Sequence, residues 1–355
     1  MHATSRTMTQ EVLKRRGGTP DWGAATVRLS RRQDTPARGY AVELPWKDFA
    51  EAWSQAENAL ARLEQQLSSS DLRHCWICRN DFEEAAAMLA LEGARVAMED
   101  LVMTDAGGQP KKPSAAWTKA RALLSLRRHI SREGPSKILT CDGILALEAR
   151  LAAAQAPANA VATGAASLQS RRQRVQHWLD AVDELTSTPA LPAAAIALRV
   201  WRRMAPLAAH NEEIGLLLAA TLLWHWGKTK GLSAGLAVGL TSVQQRLEDG
   251  IGLGDWIRRF CQAILLAAES GQDSHTTLAR GRVRIGGLLA RHRAQSRMPR
   301  LAWLFFAYPV IPAGFITRRL QITNQGTDWL LQELIREEIV TEVTGKSRNR
   351  AYRLI

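Results

Sequence analysis

Cysteine is scarce, four among 355 residues. That excludes a disulfide scaffold and makes a reducing cytoplasm the expected compartment. No apolar run approaches the ~18–20 residues of a membrane-spanning helix, so no span is expected. The opening Met1-His-Ala-Thr-Ser-Arg-Thr-Met-Thr-Gln10 and the basic residues after it lead into no apolar stretch, so a secretory signal is not expected. Strand patterning is lacking until the last twenty residues, which leaves helix as the default. Tyrosine is rare, 3 against 12 tryptophans, and scattered Trp more often builds a core than a site. What is abundant is apolar content, 46%, enough for sizeable cores and against global disorder. At ~100–200 residues per domain the length suggests two or three domains.

The net charge of +13 is unevenly placed. Residues 1–40 hold 8 Lys/Arg and 3 Asp/Glu, and residues 281–355 hold 13 and 5. The 240 residues between are balanced at 26 of each. The excess therefore lies in two terminal segments, and a polyanion would meet one of them.

Residues 1–40 lack apolar periodicity and read as a basic flexible arm. Residues 41–150 read as an N-terminal helical region. Phe49, Trp53, Ala56, Leu60 and Leu63 share one helix face. A second helix is expected from about Asp81 through Leu101. Asp105-Ala-Gly-Gly-Gln-Pro110 breaks the chain, and another helix follows over about 114–129. Residues 151–168, rich in Ala, read as a linker, and 169–295 as a helical core. Within it, helices are expected at about 169–186, 190–204, 211–226, 239–249, 254–269 and 274–294.

Residues 296–355 carry the most specific pattern. An apolar helix, Arg300–Tyr308, ends at Pro309, and a second helix runs Pro312–Leu320. A tight turn follows, with Thr323 or Asn324 as N-cap of a third helix from Gln325 to about Glu337. Trp329, Leu330, Leu334 and Ile335 are expected on its buried face. Asn324, Gln325, Thr327, Asp328, Gln332 and Arg336 are expected to face DNA. A strand over 339–344, a basic turn and a return strand over 351–355 complete the order of a winged helix-turn-helix domain. In such a domain Gln can pair with adenine, Arg with guanine, and Asp can accept from cytosine. Lys346, Arg348 and Arg350 on the wing would neutralise phosphates. The bland alternative is a winged helix used for protein docking.

Ala205-Pro-Leu-Ala-Ala-His-Asn-Glu-Glu-Ile-Gly-Leu-Leu-Leu218 resembles, without gaps, the Fic signature His-Pro-Phe-x-Asp-Gly-Asn-Gly-Arg-x-Gly-Arg-x-Leu, with Pro206, Asn211, Gly215 and Leu218 matching. Leu191-Pro192 upstream and Asp255-Trp-Ile-Arg-Arg-Phe260 downstream are similar to flanking Fic helices, and Met88-Leu-Ala-Leu-Glu92-Gly93 to the family's inhibitory helix. The resemblance implies a mostly α fold, a Fic-like helical bundle with a C-terminal winged helix. Its departures bear on catalysis. Ala205 stands at the catalytic His position and cannot take a proton. Ala209 stands at the acidic metal-ligand position and cannot bind a hard cation. Glu212 and Glu213 replace the Gly and Arg of the phosphate-cradling turn, and two carboxylates would repel a triphosphate. Leu216 replaces the Arg that partners the inhibitory Glu, so Glu92 is expected to make another contact. The resemblance thus implies a Fic-derived scaffold, a pseudoenzyme without metal or cofactor.

Leu91-Glu-Gly93, Met98–Ala106, Ala120–Arg128, Leu217–Leu223 and Gly227-Lys-Thr229 resemble an uncharacterised, often plasmid-borne family of helix-turn-helix proteins seen in rhizobia. That resemblance implies a regulatory role. Five other features are weaker. Cys75-Trp-Ile-Cys78 beside His74 is one pair where zinc usually needs two. Gly227-Lys228-Thr229 resembles the end of a phosphate-binding loop but lacks the earlier Gly and the preceding strand. Asn211 with Glu212 and Glu213 reads as a capped helix start. Trp224-His225-Trp226 reads as packing, and the arginines from Arg280 to Arg300 as a solvated face or an extension of a phosphate track.

The expected function is sequence-specific binding of double-stranded DNA for transcriptional regulation by a cytoplasmic, nucleoid-associated protein. Its body would dimerise or receive a signal from a protein or small-molecule effector. The alternatives are a Fic-type nucleotidyl transferase and a non-enzymatic, antitoxin-like interaction protein.

Overall fold

The computed structural model describes residues 26–27, 42–108, 110, 112–155, 165–243, 247–291, 296–345 and 350–355. Most of the basic arm, the middle of the Ala-rich segment and the tip of the wing lie outside them.

The described chain is mostly α-helical. A two-residue ladder opens it, β1 (Thr26–Val27) antiparallel to β2 (Val42–Glu43). No strand is expected there from the residue pattern. The helix α1 (Trp46–Ser68) buries Phe49, Ala56, Leu60 and Leu63 on one face, as the spacing predicts, with Ala52 buried too and Trp53 only half-buried. Next come α2 (Arg73–Leu91), α3 (Met98–Val102) and a 3-10 turn (Met103–Ala106). The single helix expected over 81–101 is thus broken. Gly93 adopts φ +79°, and the N–H groups of Gly93 and Ala94 close the end of α2 on the carbonyls of Ala90 and Leu89. That is a Schellman-type stop, and Gly supplies the left-handed residue it needs. α4 (Ala115–Glu133) starts at Ser114, whose hydroxyl accepts from Trp117 N–H at 3.0 Å. α5 (Pro135–Ile138), α6 (Cys141–Gln155) and α7 (Ala165–Asp183) follow. The segment expected as linker therefore begins and ends in helix.

α8 (Ala190–Met204) and α9 (Asn211–His225) agree with expectation, while α10 (Leu236–Ser242) is shorter and earlier than the helix expected over 239–249. The two helices expected over 254–294 are one, α11 (Leu253–Leu289). Its 37 residues span about 55 Å at 1.5 Å each. α11 lies along α1, and Gly271 lets it approach closely: a Cβ there would sit 3.0 Å from Leu63 and Trp76. Trp178, Trp201 and Trp256 are fully buried, and each indole N–H donates to a backbone carbonyl. This is how a tryptophan core meets its one polar demand. Arg127 is buried too, with Asp81 at 3.0 Å, Glu84 at 3.1 Å and the Leu232 carbonyl at 2.9 Å.

The C-terminal head comprises α12 (Met298–Ala307), β3 (Ile311–Pro312), α13 (Ala313–Leu320), α14 (Asn324–Arg336), β4 (Val340–Glu342) and β5 (Ala351–Leu354). Its antiparallel sheet has the order β3-β5-β4. β3 was not expected; with two residues it leaves no alternating pattern to read. The far end of α11 carries the head, since a Cβ on Gly281 would lie 2.7 Å from Leu354. Arg284 donates to the Glu338 carbonyl at 3.0 Å, Arg291 pairs with Glu337 at 2.8 Å, and Arg282 pairs with Asp71. Of these arginines, read from sequence as a solvated face or a phosphate track, Arg284 and Arg291 tie the head to α11 and the residues after it, and Arg282 ties α11 to the turn between α1 and α2.

Candidate nucleic-acid interface and the signature loop

α13 ends at Gln321, which takes φ +53°, and the turn through Ile322 reaches Thr323. The Thr323 hydroxyl accepts from Gly326 N–H at 3.1 Å, so Thr323 rather than Asn324 is the N-cap of α14. Helix, three-residue turn and capped helix are thereby fixed by local chemistry. Leu330, Leu331 and Leu334 bury one face of α14.

The opposite face is exposed at Asn324, Gln325, Asp328, Gln332 and Arg336, as the periodicity predicts. Two expectations fail. Thr327 is 1% exposed, and its hydroxyl lies 2.9 Å from that of Thr317 on α13. It joins the two helices and leaves the base-facing group. Trp329 was expected in the core but is 61% exposed. Residue 329 follows Asp328 and precedes Gln332 by three, so it sits on the polar face. Its bulk suggested burial, and helical spacing decided otherwise. Arg318 and Arg319, at the end of α13, are exposed nearby and were not singled out from sequence.

At the wing base, Glu342 is held well below the usual carboxylate range. The Thr344 hydroxyl, which donates to it at 2.5 Å, is the main cause, and the N–H groups of Thr344 and Gly345 add to it. Arg350 is half-buried where the chain returns to β5. Lys346 and Arg348 lie outside the described residues.

The signature loop lies in the body, between α8 and α9. Ala205 ends α8 at φ +40°, and His210 starts α9 at φ +62°, both left-handed. His210, not Asn211, is therefore the cap residue. The Asn211 amide instead grips the Leu207 peptide, accepting from its N–H and donating to its carbonyl, each at 3.0 Å. Two loop donors meet a side chain from α6: Glu148 accepts from Ala208 N–H at 2.8 Å and Ala209 N–H at 3.2 Å. Arg171 holds the other oxygen of Glu148 at 2.6 Å. Backbone N–H groups of this kind suit an anion, and here a carboxylate of the chain itself occupies them.

Glu213 is buried at the start of α9. Burial pushes its carboxyl up, but hydrogen bonds from His210 and Lys119 outweigh that and hold it down at about 2. Lys119 from α4 also binds both oxygens of Glu92 at 2.7 Å. Glu92 thus has the alternative contact expected of it. Glu212 pairs with Arg202 at 3.0 Å, and Leu216 is buried. Pro206 is buried in the same loop. Gly215 lets α8 and α9 approach closely, since a Cβ would sit 2.6 Å from the Trp201 ring.

Cys75 and Cys78 sit near the start of α2, one buried and one half-buried, and burial raises both thiols, Cys78 to about 11. Among the described residues no group of three or more His, Cys, Asp or Glu is placed to hold a metal ion. Lys228 pairs with Glu57 at 2.6 Å, and the buried Thr229 hydroxyl donates to the Gly231 carbonyl. Both therefore make structural contacts. No described helix is long and apolar enough to cross a membrane.

Comparison with known proteins gives matches to both parts. Residues 298–355 match a family model described as an HTH DNA binding domain. Residues 169–287 match one described as a protein of unknown function, DUF1612. "Uncharacterized protein y4cF" of Sinorhizobium fredii is 24% identical over 367 residues, covering 85% of this chain and 95% of that one. Among solved structures, a Fic family protein from Desulfovibrio desulfuricans G20 is similar over 88% of this chain and 97% of its own, with 13% identity and a TM-score of 0.43. The C-terminal residues thus form a helix-turn-helix domain of DNA-binding type on a mostly α-helical body.

Proposed function

We propose that this chain is a sequence-specific, double-stranded-DNA-binding transcriptional regulator of the cytoplasm, whose body performs no catalysis and carries regulation. The observation that carries the reading is the exposed face of α14. Gln325, Asp328, Trp329, Gln332 and Arg336 project together from a capped helix, within the residues that match a DNA-binding domain. A helix of this diameter fits the major groove, and these side chains can read base edges there. Trp329 adds an apolar surface for a thymine methyl.

The body's reading rests on the loop chemistry. A methyl at Ala205 has no proton acceptor, and Glu148 already fills two anion-binding N–H groups. The carboxylates of Glu212 and Glu213 add negative charge where a triphosphate would need the opposite.

In vitro selection from a random duplex library, using the full chain, tests the proposal. The expected result is enrichment of one motif, with Gln332→Ala relaxing it at one or two positions. No enrichment, with no retention of any duplex, would overturn DNA reading. Transfer of label from labelled ATP to any protein would overturn the non-catalytic body.

A further inference from the structure

A cleft of about 1050 Å³ opens in the body, far from α14 along the chain and separate from the signature loop. One wall is α4, where Arg121, Ser125, Arg128 and Arg132 follow at spacings of four, three and four, so all four share one helix face. Lys230 lines the cleft with them, and Trp224 and Leu232 supply apolar surface. Two carboxylates also line it. Asp81 is engaged by buried Arg127 at 3.0 Å, and Asp105 by Arg128. Among the described residues, Arg121, Arg132 and Lys230 form no ion pair with a carboxylate. Four cations thus border a space of ligand size with two acids already held. A guanidinium row beside an indole suits a negatively charged head on a flat apolar body.

The cleft wall is also the joint with the head. Arg128 donates to both oxygens of Asp105, at 2.8 and 2.9 Å. The second of these oxygens accepts from the Tyr308 hydroxyl at 3.2 Å. Tyr308 connects α12 to β3, and its ring packs on Phe82 of the body at 5.6 Å and on Phe315 of α13 at 4.8 Å. Following Asp105, the chain passes against α13, where a Cβ on Gly108 would lie 2.8 Å from the Arg318 guanidinium. An anion that drew Arg128 into the cleft would loosen its hold on Asp105, and so on Tyr308 and the helix before α14.

We propose that this cleft binds a small organic anion, a carboxylate or phosphate on a flat apolar body, and that occupancy is transmitted to the head through Arg128, Asp105 and Tyr308. This deepens the regulator reading and rests on it for its biological meaning. A ligand that favours one arrangement of the joint shifts the head by linkage.

The probe is 8-anilinonaphthalene-1-sulfonate, titrated by fluorescence into the full chain, with phenyl phosphate and benzoate as competitors. The expected result is saturable single-site binding, weakened at least tenfold by Arg121→Glu with Arg132→Glu. Displacement by one competitor in preference to the other identifies the head group. Affinity within twofold of wild type in the double variant, or no displacement by either competitor, would overturn the site. Ser125→Trp, which fills the cleft from an exposed position, gives the same reading if the charge reversal fails to fold. Hydrogen exchange over residues 308–320 tests the transmission. Exchange should change at least twofold on probe binding, and Tyr308→Phe should abolish the change while keeping the probe affinity. No change in wild type would overturn it. Neither readout uses DNA, so failure of the cleft and failure of DNA reading are distinguishable.

Discussion

The carboxylate of Glu148 accepts the backbone N–H of Ala208 at 2.8 Å, across 60 residues of sequence. It also takes the Ala209 N–H and pairs with Arg171, and it is 4% exposed. One side chain therefore satisfies the loop and balances a nearly buried guanidinium. Glu148→Ala takes the acceptor from the loop and this carboxylate from Arg171, and breaking a buried pair from one side costs about 3–5 kcal/mol. Urea unfolding should report a loss of that order, with Glu148→Gln intermediate because its amide oxygen can still accept. A loss of under about 1 kcal/mol, the size of an ordinary exposed pair, would mean the loop is held by other contacts.

Glu213 supplies a pH dependence with a definite sign. Its folded-state pKa, about 2, lies below the ordinary value of 4.5. The folded state therefore favours the carboxylate, and the stability this contributes is fully present above pH 4.5 and lost as pH falls toward 2. The stability gap between wild type and Glu213→Gln should be constant near neutrality and narrow through that window. Chemical unfolding at pH 6, 4 and 3 checks it. A gap that widens on acidification would reverse the assignment.

The helices and the order of the head were legible because their signals are local. Leucines at helical spacing mark α14, and a threonine just ahead of Asn324 marks its start. What was not legible depends on partners distant in sequence. Nothing near Glu148 signals a loop 60 residues on, and nothing near Lys119 signals both Glu92 and Glu213. The continuity of α11 across Gly271 is settled by packing on Leu63 and Trp76, which outweighs the low helix propensity of glycine. Thr327 and Trp329 stand in each other's expected places because register along the helix outweighs residue type. A small polar residue can be buried when a second hydroxyl meets it, and a large aromatic stands in solvent where its helix position faces outward.

That exchange separates stability from recognition. Thr327→Ala removes a buried hydroxyl contact worth about 1 kcal/mol and should lower the unfolding midpoint while leaving DNA affinity per folded molecule unchanged. Trp329→Ala removes an exposed ring and should do the reverse, with stability within about 0.5 kcal/mol of wild type and affinity for the selected duplex reduced at least fivefold. Binding titrations and melts of both variants decide. Equal DNA affinity for Trp329→Ala would remove the indole from the interface.

In the proposed regulator, the wing supplies the electrostatic share of DNA binding. Glu342 draws the N–H groups of Thr344 and Gly345 onto itself and so bends the chain out of β4, and the Arg350 carbonyl accepts from Ala313 N–H at 2.9 Å where it returns. Those contacts anchor the described residues on either side of the segment that holds Lys346 and Arg348. Each phosphate that Lys346, Arg348 and Arg350 neutralise releases counterions, so log affinity falls with log salt by ~0.9 per contact. Replacing all three with Ala should flatten that slope by about 2 to 3, because phosphate contacts are lost while base contacts remain. The preferred motif found by selection should stay the same. If affinity falls but the slope does not, the loss comes from the fold of the turn rather than from phosphate contacts, and the wing would not be part of the DNA interface.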